Sequence, residues 1–305
     1  MTLALLLALL LDALAGEPKW LWNRLPHPAV LMGRCVGWID TTFNAGPRRQ
    51  TRGILAFGGL MLGFGIVGWV LTLLPGWWAE VIVTAVLLAQ KSLVQHVQAV
   101  ADGLRLSLGD GRRAVALIVS RDTAAMEATA IARSAIESAA ENLSDGVIAP
   151  AFWFLIGGLP GLLIYKITNT ADSMIGYRTL RHEQFGWAAA RFDDLLNLIP
   201  ARLTALLIWA TAPRSGQFGP LRADAALHRS PNAGWPEAAM ARALGVALAG
   251  PRSYDGQLRD FPFVNAEGAR VVGADAVDRA VRILWRSWAI GVAIVVGIWL
   301  IGQAF

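Results

Sequence analysis

Residues 146–165 read GVIAPAFWFLIGGLPGLLIY, and this stretch decides the fold class. The segment is long and apolar enough to enter a bilayer, yet Pro150 and the Gly- and Pro-rich run at 157–161 interrupt it. Irregular backbone at membrane depth is tolerated only where protein or a water-filled cavity surrounds it. We therefore expect an all-α, polytopic integral membrane protein with cytoplasmic helical segments and a broken or re-entrant hairpin at these residues.

The whole chain has the composition of a membrane protein. Of its 305 residues, 55% are hydrophobic and 16% are charged, whereas soluble domains carry about 25% charged residues. The net charge of +5 is not arranged as a basic stripe with interleaved aromatic residues, so we expect no nucleic-acid partner. Cys35 is the single cysteine, which excludes an intramolecular disulfide and a cysteine-based metal cluster.

Six apolar segments predict helices that enter the lipid bilayer, at residues 2–15, 53–74, 79–97, 146–165, 195–212 and 284–301. A signal peptide is the alternative for the first of them, but no basic residue precedes the apolar run. Gly59 and Gly63 form a small-xxx-small pair, which predicts close approach of another helix. We treat residues 1–305 as one integral membrane domain.

The uncharged turn at Pro75-Gly76 separates two of these segments, while the polar stretches on their far sides are rich in Arg and Lys. The positive-inside rule therefore places residues 16–52 and the segment after residue 97 in the cytoplasm.

Four charged residues, Arg133, Glu137, Glu141 and Asp145, follow one another at intervals of four. On a helix they form one stripe, and like charges at this spacing oppose helix formation unless a cation neutralises them. Oxygen ligands without Cys or His suit Mg²⁺ rather than Zn²⁺. The alternative is the solvated face of an amphipathic helix. Asn142 and the apolar segment that follows favour a functional role.

A second polar cluster follows the interrupted apolar segment. Lys166, Asn169, Ser173 and Tyr177 share one helical face, with Asp172 at its edge. A lysine among hydroxyls and amides is suited to bind phosphate. A lysine that snorkels toward the membrane surface is the alternative.

Two further clusters and one histidine complete the candidates. Arg191, Asp194 and Asn197 share a helical face, with Asp193 and Arg202 nearby; adjacent carboxylates suit Mg²⁺, and a structural Arg–Asp pair is the alternative. Residues 230–237, SPNAGWPE, contain Asn232 in a turn motif and Glu237 early in the next helix; a plain loop is the alternative. His27 has no partner histidine nearby in the sequence, which favours a positioning role.

These motifs together strongly resemble the adenosylcobinamide-phosphate synthase family of cobalamin biosynthesis. The resemblance extends over nearly the whole chain and rests on residues 26–34 (PHPAVLMGR), 132–150 (ARSAIESAAENLSDGVIAP), 165–174 (YKITNTADSM), 190–194 (ARFDD), 199–202 (IPAR) and 230–237. It implies an ATP- and Mg²⁺-dependent enzyme that joins a propionate carboxylate of adenosylcobyric acid to the amine of aminopropanol or its O-phosphate. An acyl phosphate is the expected intermediate.

The resemblance also implies which residues form the site. Two carboxylate sets, one on each side of the interrupted segment, are candidates for the metal and the general base. We assign catalysis to Glu137, Glu141, Lys166 and Asp194. We assign the metal to Glu141, Asp145, Asp172 and Asp193. Substrate or nucleotide binding is assigned to His27, Arg133, Asn142, Asn169, Ser173, Tyr177, Arg191, Arg202, Asn232 and Glu237.

The cellular setting follows from the expected substrates. ATP and the corrinoid are cytoplasmic, so we expect a multi-pass protein of the bacterial cytoplasmic (inner) membrane with its active site facing the cytoplasm. Its expected partners are the corrinoid substrate, the amino alcohol, the lipid bilayer and other cobalamin-pathway enzymes. A membrane transporter or a scaffold for corrinoid intermediates is the alternative function.

Overall fold

Helices make up most of the computed structural model, which describes residues 1–212, 218–254 and 257–304. The first nine are α1 (Thr2–Ala15), α2 (Lys19–Trp22), α3 (Pro28–Phe43), α4 (Arg49–Thr72), α5 (Trp78–Leu87), α6 (Gln90–Leu106), α7 (Leu108–Val115), α8 (Ala128–Leu143) and α9 (Ala149–Ile175). A π-helical turn, Ser144–Ile148, joins α8 to α9. The remaining helices are α10 (Trp187–Leu196), α11 (Leu198–Thr211), α12 (Phe218–Ala225), α13 (Gly234–Leu244) and α14 (Ala274–Ala304).

Short strands occur between α13 and α14. β1 (Leu248–Ala249) pairs antiparallel with β4 (Phe263–Val264), and Leu248 lies opposite Val264. β2 (Arg252–Tyr254) pairs antiparallel with β3 (Gln257–Arg259). The fold class is therefore the predicted one, a helical membrane protein in which these ribbons are a minor addition.

The chain divides into two compact units. The first unit contains Met1–Ala89, Ala149–Leu198 and the chain from Val295 onward, and the second contains Gln90–Ile148 and Ile199–Ile294. A buried apolar core, which includes Val97, Ile131, Leu143, Ile208 and Met240, holds the second unit together. The prediction that residues 1–305 act as one membrane domain stays a prediction.

Several described helices are long and apolar enough to cross a membrane. They are Arg49–Thr72, the run Ala128–Ile175, which contains a break at Gly158, and Ala274–Ala304. The pair formed by α10 and α11, bent by 45°, qualifies as a broken span. α1 is apolar but has only 14 residues. The predicted helix at 79–97 is divided, because Leu88 has extended backbone between α5 and α6.

The interrupted segment folds back on itself, as the sequence predicts. Gly158 has φ 58° and ψ −151°, outside the helical region, and Pro160 follows it without an N–H to continue the helix. A Cβ at Gly161 would lie 2.6 Å from the carbonyl oxygen of Trp153, although a straight helix would separate these residues by about 12 Å. α9 is therefore a helical hairpin, with a first arm at 149–157 and a second arm at 159–175.

The second arm of the hairpin packs closely along α4. A Cβ at Gly68 would lie 2.7 Å from Cα of Pro160, and one at Gly65 would lie 3.3 Å from Cδ1 of Ile164. A Cβ at Gly53 would collide with the carbonyl oxygen of Phe185. Residue numbers along α4 fall from Gly68 to Gly65 as those of their partners rise from Pro160 to Ile164. α4 and the second arm are therefore antiparallel.

The antiparallel packing determines where the polar segment after the hairpin lies. Asn44 Nδ2 donates to the Arg181 carbonyl at 3.0 Å, and Arg49 donates to the Leu180 carbonyl at 3.4 Å. Arg181 also pairs with Asp40 at 2.6 Å. The segment after the second arm therefore lies at the arginine-rich start of α4, and the hairpin returns the chain toward that end.

The prediction that Gly59 and Gly63 mediate helix packing is wrong for the described chain. A Cβ at either glycine would meet no atom within 4 Å. The close approach to the hairpin instead uses Gly65 and Gly68, because the face of α4 that meets the hairpin is rotated away from Gly59 and Gly63. Gly53 contacts Phe185, in the segment that follows the hairpin.

We expect Gly68→Ala to destabilise the protein by about 1–3 kcal/mol, because the added methyl group overpacks the contact with Pro160. Thermal unfolding of the detergent-purified protein measures the effect. Gly63→Ala is the matched control, and we expect equal or slightly higher stability, since alanine favours helix more than glycine does. Equal destabilisation by both substitutions would contradict the close packing of α4 against the hairpin.

Candidate functional site

Three aspartates of the first unit form its main polar cluster. Asp172 lies on the second hairpin arm, and Asp193 and Asp194 lie in the last turn of α10. Asp172 interacts electrostatically with both of the others. Packing of α10 against α9 thus brings together side chains from two motifs that are separate in sequence.

Amide side chains hold the central aspartate of this cluster. Asn197 Nδ2 donates to Asp193 Oδ2 at 3.0 Å, and Asn169 Nδ2 lies 3.5 Å from Asp193 Oδ1. Asn197 in turn accepts a hydrogen bond from the Tyr165 hydroxyl at 3.1 Å. Asp172, Asp193 and Asn169, all predicted from sequence, therefore share one site.

Two arginine side chains act on one aspartate of the cluster, Asp194. Arg191, which was predicted, and Arg178, which no sequence pattern indicated, both interact electrostatically with Asp194. Arg178 follows Tyr177 in the polar segment, and only that proximity in sequence could have indicated it. Asp194 thus differs from its two neighbours in having guanidinium groups nearby.

Ser173 and Tyr177 have less support as members of the site. Ser173 is exposed. Tyr177 is also exposed, and it lies beyond the end of α9 at Ile175. The prediction that Tyr177 shares a helical face with Lys166 is therefore wrong, because α9 ends two residues before Tyr177.

His27 caps the start of a helix and interacts electrostatically with Lys166. Its Nδ1 accepts a hydrogen bond from the Ala29 N–H at 3.2 Å, at the start of α3. Its ring packs edge-on against Trp22 at 4.5 Å between centroids. Burial lowers the pKa of His27, and the positive charge of Lys166 lowers it further against the opposing influence of Glu17. His27 is therefore neutral near pH 7 and suited to positioning.

In the second unit, Glu137 is part of a buried ion pair. Its Oε2 lies 3.0 Å from Arg121 Nη2, and its side chain is 5% exposed. Its Oε1 accepts a hydrogen bond from the Ala249 N–H at 2.8 Å. These contacts join α8 to strand β1 and to the segment before α8, so they account for Glu137 as a structural residue. Its catalytic assignment stays a prediction.

The neighbours of Glu137 in the predicted stripe have different environments. Arg133 donates to the carbonyls of Ala249 and Arg270 at 3.3 and 3.1 Å. Glu141 is exposed, and Asn142 Nδ2 donates to the Ser138 carbonyl at 2.9 Å. Asp145 lies in the π-helical turn. The α-helix therefore ends at Leu143, before Asp145, so the four residues do not share one α-helical face. Along this stripe Glu137 is buried and Glu141 is exposed.

The motif at 230–237 forms a compact turn in the second unit. Ser230 Oγ accepts hydrogen bonds from the N–H groups of Asn232 and Ala233 at 3.2 and 3.3 Å. Arg202 donates to Asn232 Oδ1 at 3.2 Å and stacks over the Trp235 ring at 4.8 Å. The buried Glu237 carboxylate lies 3.8 Å from His228 Nε2. Arg202, Asn232 and Glu237 thus belong to one turn region of this unit.

A metal ion would find oxygen ligands in the aspartate cluster. Among the described residues, no three His, Cys, Asp or Glu side chains are arranged to enclose an ion by themselves. Mg²⁺ commonly uses one or two carboxylates and completes its shell with water and phosphate oxygens. Asp172 and Asp193, with the Asn169 amide, fit that kind of open site.

Comparison with known proteins gives a consistent set of relatives. A family model described as "CobD/Cbib protein" matches residues 5–284. A protein of Brucella anthropi named "Cobalamin biosynthesis protein CobD" is 48% identical over 97% of this chain and 96% of its own length. Proteins of the same name from Rhizobium meliloti and Rhodobacter capsulatus are 47% and 41% identical, over 94% and 96% of both chains. No solved structure matches the chain.

We expect Arg121→Met to destabilise the protein by about 3 kcal/mol, because it removes the Arg121 guanidinium from the buried Glu137 carboxylate. Adding Glu137→Gln in the same chain should restore part of the loss, since the neutral amide can still accept from Ala249. Thermal unfolding in detergent measures both variants. If the double variant is no more stable than Arg121→Met, the loss of the Arg121 charge beside the Glu137 carboxylate is not the cause of the destabilisation.

Proposed function

The chain belongs to the CobD/CbiB protein family and has a role in cobalamin biosynthesis, and we propose that it catalyses ATP-dependent amide-bond formation. The acid is a propionate side chain of adenosylcobyric acid, and the amine is aminopropanol or its O-phosphate. The observation that carries the proposal is the cluster of Asp172, Asp193 and Asp194 with the amides of Asn169 and Asn197. Lys166 lies one helical turn from Asn169.

Activation of the carboxylate is the first chemical requirement. A carboxylate does not acylate an amine at neutral pH, so one of its oxygens first attacks the γ-phosphorus of ATP. The bond from that phosphorus to the β–γ bridging oxygen breaks, and ADP leaves. Phosphoryl transfer depends mainly on positioning and on charge neutralisation. Lys166 and Arg191 would hold phosphate oxygens, and Asp172 and Asp193 would hold Mg²⁺, which neutralises charge on the nucleotide.

Amide formation is the second step. The amine attacks the acyl carbon, the carbon–oxygen bond to phosphate breaks, and inorganic phosphate leaves. The attacking nitrogen must lose a proton, and Asp194 is the general base in this proposal. His27 is neutral and is fixed at the start of α3, and in this proposal it helps to position the Lys166 side chain.

The orientation in the membrane supports access to cytoplasmic substrates. Arg48, Arg49 and Arg52 stand at the start of α4, and the positive-inside rule assigns that end to the cytoplasm. The segment after the hairpin contacts this end through Arg181 and Leu180. We propose that the aspartate cluster opens toward the cytoplasm of the bacterial inner membrane.

The direct test supplies the purified protein in detergent with ATP, Mg²⁺, adenosylcobyric acid and aminopropanol phosphate. We expect an amide product with ADP and phosphate in equal amounts. Absence of both the amide and substrate-dependent ADP would overturn the proposal. Corrinoid uptake into proteoliposomes without amide formation would support a transporter instead.

We expect Asp193→Asn to lower the rate at least about 100-fold, because an electrostatic contribution to phosphoryl transfer is removed. Asp102→Asn is the matched control, since Asp102 is 62% exposed and pairs with Arg105 on the surface; its rate should be unchanged. The measurement is the rate of amide formation at saturating ATP. Wild-type rate in Asp193→Asn would remove the aspartate cluster from the reaction.

A further inference from the structure

We propose that Tyr165 and Asn197 are positioning residues that hold the Asp193 carboxylate in one orientation for the divalent cation of the reaction. The inference rests on the proposed function, since it specifies how one ligand of that site is kept in place. Neither residue touches the reacting atoms; both act through Asp193.

The hydrogen-bond chemistry fixes the direction of the whole chain of contacts. As a cation ligand Asp193 is ionised and only accepts hydrogen bonds, and Asn197 accordingly turns its NH₂ group toward Asp193. The Asn197 oxygen then faces Tyr165, whose hydroxyl donates to it at 3.1 Å. The Asn197 amide donates onward at 3.0 Å. Each polar group therefore has one allowed arrangement, and rotation of the carboxylate breaks the chain.

Burial makes this arrangement costly to break. Tyr165 is fully buried and Asn197 is 2% exposed, so water cannot replace a lost partner at either position. A buried polar group that loses its hydrogen bond keeps the full penalty of desolvation. The Asn197 backbone N–H also donates to the Asp193 carbonyl at 3.0 Å, so Asn197 is attached to Asp193 by both its side chain and its backbone.

The fold explains why these residues can hold Asp193. Asn197 stands at the break between α10 and α11. Tyr165, on the second hairpin arm, contacts its side chain, and Trp153, on the first arm, donates to the Leu196 carbonyl at 3.1 Å. Both arms of the hairpin therefore contact the residues at this break. The reversal at Gly158 brings Trp153 and Tyr165 to the same place.

The hydrogen bonds leave Asp193 able to bind a cation. Each carboxylate oxygen has two lone pairs, and the two asparagine amides approach one oxygen each. The charged groups that act on Asp193 are the carboxylates of Asp172 and Asp194. A divalent cation offsets that repulsion, and residues that orient a metal ligand typically change metal affinity or activity 10- to 100-fold when they are removed.

The test compares Tyr165→Phe and Asn197→Ala with the wild type. Tyr165→Phe removes only the hydroxyl and preserves the packed ring, so of the two variants it should disturb folding less. Thr168→Val is the matched control, because Thr168 is buried on the same helix and its hydroxyl donates within that helix, to the Ile164 carbonyl at 2.8 Å. Thermal unfolding in detergent confirms that each variant is folded.

Two readouts separate positioning from structure. The first readout is the affinity for Mn²⁺ alone, measured from the decrease in the electron paramagnetic resonance signal of unbound Mn²⁺. This affinity should fall about 10-fold or more in both variants and should not change in Thr168→Val. The Mg²⁺ concentration for half-maximal amide formation should rise by a similar factor, with a smaller change in rate at saturating Mg²⁺.

Several results would overturn the inference. They are unchanged Mn²⁺ binding in both variants, equal weakening in Thr168→Val, or no Mn²⁺ binding by the wild type. A wild type that binds Mn²⁺ but forms no amide would count against the proposed function, while the Mn²⁺ comparison would still decide whether Tyr165 and Asn197 position Asp193.

Discussion

The reversal of the helix at Gly158 is the constraint on which the first unit depends. A backbone that leaves the helical conformation at membrane depth needs protein around it, because lipid offers no hydrogen-bond partners. α4 provides that surrounding, and Gly65 and Gly68 allow the hairpin to approach closely. Positive φ at Gly158 is available because glycine lacks a Cβ. A larger residue at Gly68 would therefore disturb the element that returns the chain to the arginine-rich end of α4.

The reversal has a chemical consequence as well as a structural one. It places Trp153 and Tyr165 beside the break between α10 and α11, where they contact Leu196 and Asn197. The same second arm presents Asn169 and Asp172 to Asp193 and Asp194. The polar cluster is thus built by packing an apolar hairpin, and the residues that shape the fold are neighbours of those proposed to bind the cation and phosphate.

Local sequence patterns predicted the helical fold, the hairpin and several residues of the aspartate cluster. The features that they did not predict depend on contacts between residues far apart in the sequence. The interruption at residues 157–161 indicated the hairpin because Gly and Pro act on their own backbone. Glu137 illustrates the limit: its spacing placed it in a carboxylate set for the metal and the general base. That spacing did not indicate that Arg121 and Ala249, 16 and 112 residues away, hold it in an ion pair and a hydrogen bond. Gly59 and Gly63 had the right spacing for packing but lie on the wrong face of α4. No periodic pattern indicated Arg178 or the contact of Tyr165 with Asn197.

Membrane sidedness tests the re-entrant hairpin most directly. Single cysteines placed at Ala45, Trp77 and Leu180, all exposed, in a chain with Cys35→Ser would be labelled with a membrane-impermeant maleimide in vesicles of known orientation. The hairpin predicts that positions 45 and 180 are labelled from one side and position 77 from the other. Labelling of position 180 from the same side as position 77 would mean that the segment crosses the membrane, and it would contradict the re-entrant hairpin.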